Sequence, residues 1–217
     1  MTATPRTTPT PRTTRLDLSG MYAAHDSFRR DLDRLLVAAG QGPQAFVAAG
    51  KGWANFKHQL WLHHRAEDQE LWPRLRRSVT APADLHLLDL MEAEHASIDP
   101  LVEAIDRSAA VEDAALDRLV SLLADQLVAH LAHEEDEALP LVDAALPARD
   151  WRAFTWSLAR AEGIKGAASF LPWVLDGDQT DAQRHLAAAL PAPARLIYRT
   201  VLLPRYRRRR LWGDPTG

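Results

Sequence analysis

His63-His64-Arg65-Ala66-Glu67-Asp68-Gln69-Glu70-Leu71-Trp72-Pro73 has an echo in this chain, His130-Leu131-Ala132-His133-Glu134-Glu135-Asp136-Glu137-Ala138-Leu139-Pro140. Both copies open on a His, carry acids at the fifth and sixth places, a Glu at the eighth and a Pro at the eleventh. Residues four apart on an α-helix share a face, with Cβ atoms roughly 5–6 Å apart. His63 with Glu67, and His130 with Glu134, therefore each present an imidazole beside a carboxylate. Burying such pairs without a counter-charge would leave desolvated, unpaired carboxylates, which is strongly unfavourable. Two pairs facing each other inside a helical protein thus imply a cation between them, and the donor set suits iron, manganese or zinc.

Working outward, the apolar positions repeat at helical spacing. A first helix is expected from Asp17 or Ser19 to Gly40, with Met21, Tyr22, Phe28, Leu32, Leu35 and Leu36 on its stripe and His25 among them. A second starts at Pro43 and carries the first His/Glu pair, weakened by Gly50 and Gly52 and kinked or ended by Pro73. A third runs from Asp84 to Arg107 with His95 on its apolar stripe, and Pro100 predicts a distortion just past it. A fourth runs from near Val111 to Ala145 and carries the second pair. Each half is then a helical hairpin bearing a lone His followed by a His-x-x-x-Glu pair. The expected fold is all-α: an up-down-up-down four-helix bundle with further C-terminal helices packed on it.

The expected boundaries are a disordered Thr/Pro/Arg tail at 1–15, the bundle at 16–147, a helical extension at 148–206 and a basic tail at 207–217. Within the extension, Asp150–Ala161 reads as a helix with Trp151, Phe154, Trp156 and Leu158, followed by Phe170–Leu175 as a separate piece. Thr180–Leu190 and Ala194–Leu203 read as two further helices, the last ending before Pro204. The Trp residues, including Trp53, Trp61 and Trp72, are expected in the core.

The 217 residues contain no cysteine, which excludes disulfides, thiolate metal sites, iron–sulfur ligation and Cys nucleophiles together. Any metal must be held by His, Asp and Glu. The net charge is −3, but three Arg stand in 1–15 and seven in 195–217, where Asp214 is the one acid. Subtracting those from 26 basic and 29 acidic residues leaves 16 and 28 in 16–194. That acidic middle suits cations and disfavours nucleic acid, leaving Arg207–Arg210 as a weak signal for an anionic partner. No apolar run spans a bilayer and no secretory signal is seen, so a cytoplasmic protein is expected. No phosphate-cradling loop, Gly-x-Ser-x-Gly elbow or His-Glu-x-x-His zinc helix is present.

With His25 in YAAHDSF, His63 and Glu67 in HHRAEDQELWP, His95 in EAEHASI, and His130 and Glu134 in HLAHEEDEALP, the chain resembles the bacterial hemerythrin-like proteins with a His-His-Glu cation-binding domain. The resemblance covers about 18–145. It implies two iron ions, oxo- or hydroxo-bridged, with Glu67 and Glu134 bridging and His25, His63, His95 and His130 as terminal ligands. The partners it implies are dioxygen, hydrogen peroxide or nitric oxide. Their turnover would make the protein a di-iron oxidoreductase of catalase- or peroxidase-like kind; the alternative is a reversible oxygen, nitric oxide or iron binding or sensing module. A third, structural possibility is a metal-stabilised bundle without turnover.

The family's fuller pattern has a fifth His four residues after the one on the third helix, where this chain has Asp99. As a ligand, Asp99 would favour the oxidised pair and turnover. His64 and His133 stand about 100° round the helix from His63 and Glu134, so at most they reach the site from its edge, as outer or acid/base groups, and otherwise they are solvated or pack between helices. Glu135 is a rival to Glu134, because other members of the family place their carboxylate five residues after the fourth-helix His. The neighbouring acids Asp68, Glu70, Asp136 and Glu137 are expected on a solvated face. His58, His86 and His185 are expected to be structural or exposed. Composition and motifs leave the oligomeric state undetermined.

Overall fold

The computed structural model describes residues 15–177 and 179–213, without the side chains of 158–165 and 167. The expected tail at 1–14, the Leu158 side chain and the last four residues lie outside that range. Among the described residues the chain is helical, with no strand. Helix α1 spans Ser19–Gly40, and Gly42, at φ 106°, makes the turn into α2, Pro43–Ala48. Ala49 separates α2 from α3, Gly50–Ala66, so the weak, Gly-containing start of the second rod is a break between two helices. After a π-helical turn at Glu67–Leu71 the rod ends in α4, Trp72–Arg76. The third rod is α5, Pro82–Ala110, which stays α-helical through Pro100. The fourth comprises α6 (Leu116–His133), a π turn at Glu134–Ala138, and α7 (Leu139–Ala145). It begins five residues later than the periodicity suggested, because Glu112 takes φ 51° and Val111–Ala115 forms a turn.

The four rods enclose two apolar clusters rather than one. On one side lie Phe28, Leu32, Leu35, Phe56, Leu60, Ile98, Ile105, Val120, Leu123, Leu127 and Leu131. On the other lie Met21, Leu71, Trp72, Leu75, Leu88, Met91, Leu139, Val142, Trp151 and Phe154. Along every rod the change from one cluster to the other comes at or beside a His or Glu: just before His25 on α1, from His63 to Glu67 on the second rod, about His95 on α5, and from His130 to Glu134 on the fourth. A polar layer therefore crosses the middle of the bundle, with apolar packing above and below that excludes water from it.

Both π turns are placed by proline. The Trp72 N–H reaches back five residues to the Glu67 carbonyl, and the Leu139 N–H reaches the Glu134 carbonyl. The next residue in each case is Pro73 or Pro140, which has no N–H to donate and whose ring would collide with the carbonyl four residues back. Widening the helix by one residue relieves that collision, so the rod is kept at Pro73, where a kink or stop was expected, as it is at Pro140. A third copy, Tyr198–Leu202, precedes Leu203-Pro204 with the same spacing. The C-terminal helix accordingly does not end before Pro204 but continues through it.

The extension is α8 (Ala148–Val174), α9 (Asp181–Ala189), α10 (Ala192–Ile197), the third π turn, and α11 (Leu203–Arg208). Asp150–Ala161 and the Phe170–Leu175 segment are one helix, not two. Thr180 and Gln183 form a capping box that starts α9. The extension is bonded to α1: Trp173 Nε1 donates to the buried Asp31 (2.7 Å), Thr180 Oγ1 to Asp26 (2.6 Å) and Gln183 Nε2 to Ser27 Oγ (3.2 Å). Leu16 and Leu18 at one end, and Tyr206 and Leu211 at the other, are buried. Trp61, expected in the core, is exposed with Arg65 over its ring, and Trp156 is exposed as well. Among the described residues no single helix is long and apolar enough to cross a membrane.

Gly52 is where the C-terminal arm closes on the bundle. A Cβ there would lie 2.6–2.7 Å from the Trp212 ring. Gly52→Ala should push that indole off α3 and lower stability by about 1–3 kcal/mol, the usual effect of overpacking a filled site. A lower Tm with a changed Trp emission spectrum, at unchanged helix content, checks this.

Candidate metal centre

Seven side chains meet in the polar layer, and they fall into two groups. His25, His63, Glu67 and Glu134 each offer one donor atom, all within 4.8 Å of one another, and so do His64, His95 and His130. His25 Nε2 lies 3.1 Å from His63 Nε2 and 3.1 Å from Glu134 Oε2, while His95 Nε2 lies 3.1 Å from His130 Nε2. Glu67 faces both groups, with Oε1 3.2 Å from His63 Nε2 and Oε2 3.6 Å from His95 Nε2. Glu67 and Glu134 have no exposed surface, and none of their four oxygens accepts a hydrogen bond. His64 Nε2 is likewise buried and unpartnered. Orphaned carboxylates and imidazoles converging in a water-excluded layer are the environment that a pair of cations would complete.

A ring of carboxylates outside this layer orients the imidazoles. Nδ1 of His25 donates to Glu135 (2.9 Å), Nδ1 of His95 to Asp68 (2.8 Å) and Nδ1 of His130 to Glu94 (2.8 Å). Each bond holds a proton on Nδ1 and turns Nε2 toward the centre, where it can serve as a donor atom once it carries no proton. The internal repeat explains the pattern. Each π turn sends its first acid inward and its second to the lone His of the other half, so Glu67/Asp68 serve His95 while Glu134/Glu135 serve His25. Two positions break the pseudo-symmetry. His64 corresponds to Leu131, and Glu94, which also accepts from His133 Nδ1 at 2.8 Å, corresponds to Ala24.

Charge crowding is severe without a cation. Burial would lower the His25 pKa, but the carboxylates of Glu134 and Glu135 outweigh it and raise the pKa to about 9. Burial would raise Glu134, but His25, His63 and His130 pull it down to about 2. Burial, with Glu134 and Asp68 nearby, pushes Glu67 well above the usual carboxylate range. Burial and the neighbouring imidazoles push His63 and His64 well below theirs. Glu135 is held down by His25 and Arg29, and Glu94 by His130 and His133, against the opposing effect of burial. At neutral pH the metal-free layer therefore keeps a proton on His25, which a metal must displace. Loading should release at least about one proton per chain at pH 7 in weak buffer, and apparent affinity should fall about tenfold or more per pH unit below that. Stopped-flow with an indicator dye reads the release; pH-independent loading without release would contradict it.

The layer sorts the sequence candidates. His25, His63, Glu67, His95, His130 and Glu134 are all brought to it. Asp99 is not: it is exposed and lines a surface cavity of about 340 Å³ beside His64 and His95. The fifth imidazole of the layer instead comes from His64, one residue along α3 from His63, because the second group of donor atoms lies round the helix from the first. Placing His64 at the edge measured its angle from His63 alone, whereas the layer holds two groups of donor atoms and His64 belongs to the second. Glu135 backs His25 and does not replace Glu134. His133 touches Glu94 and stays outside both groups. Asp68 and Glu94 escaped the sequence reading, although the alignment of Asp68 with Glu135 in the repeat was a usable signal. His58, His86 and His185 are exposed.

A four-helix bundle crossed by a buried, duplicated His/carboxylate layer defines the chain as a cation-binding helical protein. The Hemerythrin HHE cation binding domain family matches residues 17–142, more than half of the chain, and the chain belongs to that family. Neither the curated proteins nor the solved structures returned a match.

Proposed function

We propose that the layer holds two iron ions, both contacted by Glu67 and Glu134, one with His25 and His63 and the other with His64, His95 and His130. On this reading the pair reacts with dioxygen, hydrogen peroxide or nitric oxide. The supporting observation is the unequal division of imidazoles, two on one side and three on the other. An iron pair in such a site would supply reversible one-electron chemistry toward a small exogenous ligand.

The chain's own residues do the rest. Glu135, Asp68 and Glu94 hold protons at Nδ1 of His25, His95 and His130 and keep Nε2 available as a donor. Arg29 pairs with Glu135 at 2.7 Å and keeps it anionic. Phe28, its ring 5.3 Å from that of His63, and the two apolar clusters keep bulk water from the layer.

Turnover of peroxide or nitric oxide is the favoured reading. Reversible binding or sensing is the alternative, supported by the hydrogen bonds that join the extension to α1 within two turns of His25. Exposing anaerobically reduced protein to each gas and to peroxide distinguishes them. Irreversible oxidation with peroxide or nitric oxide consumption supports turnover, whereas a spectrum that bleaches on degassing supports carriage. Full zinc occupancy after growth in iron-rich medium would overturn the iron assignment.

A further inference from the structure

A second cavity, of about 520 Å³, lies where the start of α3, the later part of α8 and the C-terminal arm meet. Lys51, Asn55, His58, Ser169 and Arg209 line it, with Ala54 and Leu211 as its apolar share. It is separate from the metal layer: Asn55 precedes His63 by eight residues on one helix, roughly 12 Å along the axis. Among the described residues no carboxylate lines the cavity, and each of its polar side chains can donate a hydrogen bond. Lys51 and Arg209 carry charge and have no ion-pair partner among the described residues.

Asn55 is an independent sign of a ligand. It is 4% exposed, its Nδ2 is buried, and neither end of its carboxamide has a partner among the described residues. An unsatisfied buried amide typically costs about 1–3 kcal/mol. With no bond to lose, the carboxamide can turn its NH₂ group into the cavity. A guanidinium fork, an ammonium and neutral N–H and O–H donors together match a doubly charged tetrahedral anion. The arm assembles this site: Leu211 is buried and Trp212 is seated on Gly52, which sets Arg209 opposite α3.

We propose that this cavity binds the phosphate group of a small molecule, whose remaining atoms lie over Ala54 and Leu211. The volume falls within the range of roughly 300–1,000 Å³ usual for small-molecule sites and exceeds what a bare phosphate fills.

The test uses the full chain with its iron. Pyrophosphate should raise Tm saturably and bind in calorimetry, while sulfate at equal ionic strength should do much less. The double variant Lys51→Ala/Arg209→Ala removes two exposed side chains, so its iron content and ligand-free Tm should match wild type. Its affinity for pyrophosphate should fall roughly tenfold or more, which is at least about 1.4 kcal/mol. Iron chelation by the probe would act on both proteins alike and cannot mimic that difference. Asn55→Leu, which removes the orphan amide without removing charge, should weaken pyrophosphate binding without lowering the ligand-free Tm. Equal responses in wild type and the double variant, or no response in wild type, would overturn the proposal. So would co-sedimentation with phosphatidic acid vesicles that depends on Lys51 and Arg209 in a protein that ignores pyrophosphate.

Discussion

Glu134→Ala is expected to remove metal from both halves of the layer at once, lowering iron from about two per chain to well under one, because metal binding and folding are coupled. Glu134 is fully buried, touches His25 at 3.1 Å and leaves two oxygens without hydrogen bonds in the centre of the layer. On the proposed assignment no other side chain except Glu67 reaches both cations. Metal held a thousandfold above its dissociation constant stabilises a fold by about 4 kcal/mol. For a domain of this size that corresponds to a Tm lower by roughly 10 °C. A built-in control separates metal from packing. In chelator-stripped protein the difference should shrink to the loss of the Glu134–His25 pair, since crowded carboxylates are themselves unfavourable there. Iron content and melting temperature equal to wild type would remove the basis for the site.

His64→Leu should have a different signature, the loss of one ion with retention of the other. Leu131 occupies the pseudo-twofold equivalent of His64, so leucine is a shape the bundle already accommodates on the facing rod. The His64 ring stacks on that of His95 with centroids 3.9 Å apart and meets His130 edge-on at 5.5 Å, whereas the His25/His63 side does not depend on it. Losing a direct donor should weaken the three-His position by more than the roughly 10–100-fold typical of losing an outer hydrogen-bond partner. Metal analysis should give about one iron per chain, with the magnetic coupling of a pair gone. Asp99→Ala is the matched comparison and should leave iron unchanged. The reverse result, with Asp99→Ala stripping metal and His64→Leu harmless, would return the fifth donor to α5.

The contrast between those two residues shows what was legible beforehand. A repeated His-x-x-x-Glu at helical spacing, each followed by a proline six residues after the Glu, settles from local geometry that four rods carry two inward-facing pairs. It also settles that a carboxylate-rich layer lies among apolar stripes. The helix borders of α1, α5 and α9 follow the periodicity and caps closely for the same reason: they depend on neighbours within a turn or two.

Other features depended on partners distant in sequence. Pro73 and Pro204 read as kinks or stops, since a local rule cannot tell whether surrounding packing will hold a rod together through a π turn. Asp68 looked like a surface acid and Glu135 like a rival to Glu134 until the opposite half of the bundle brought His95 and His25 against them. His64 and Asp99 are each offered by a helix as an additional donor, and helical spacing ranks the two by angle from a single centre. Only the crossing of four rods decides that two groups of donors stand side by side, so that the residue next to His63 turns inward and the one a full turn past His95 faces water. What the sequence determined by itself was the identity and local spacing of the donors, because covalent order and helical pitch are short-range. Which donors share a cation position was decided by tertiary packing, because that is set by how whole helices rotate to bury their apolar faces.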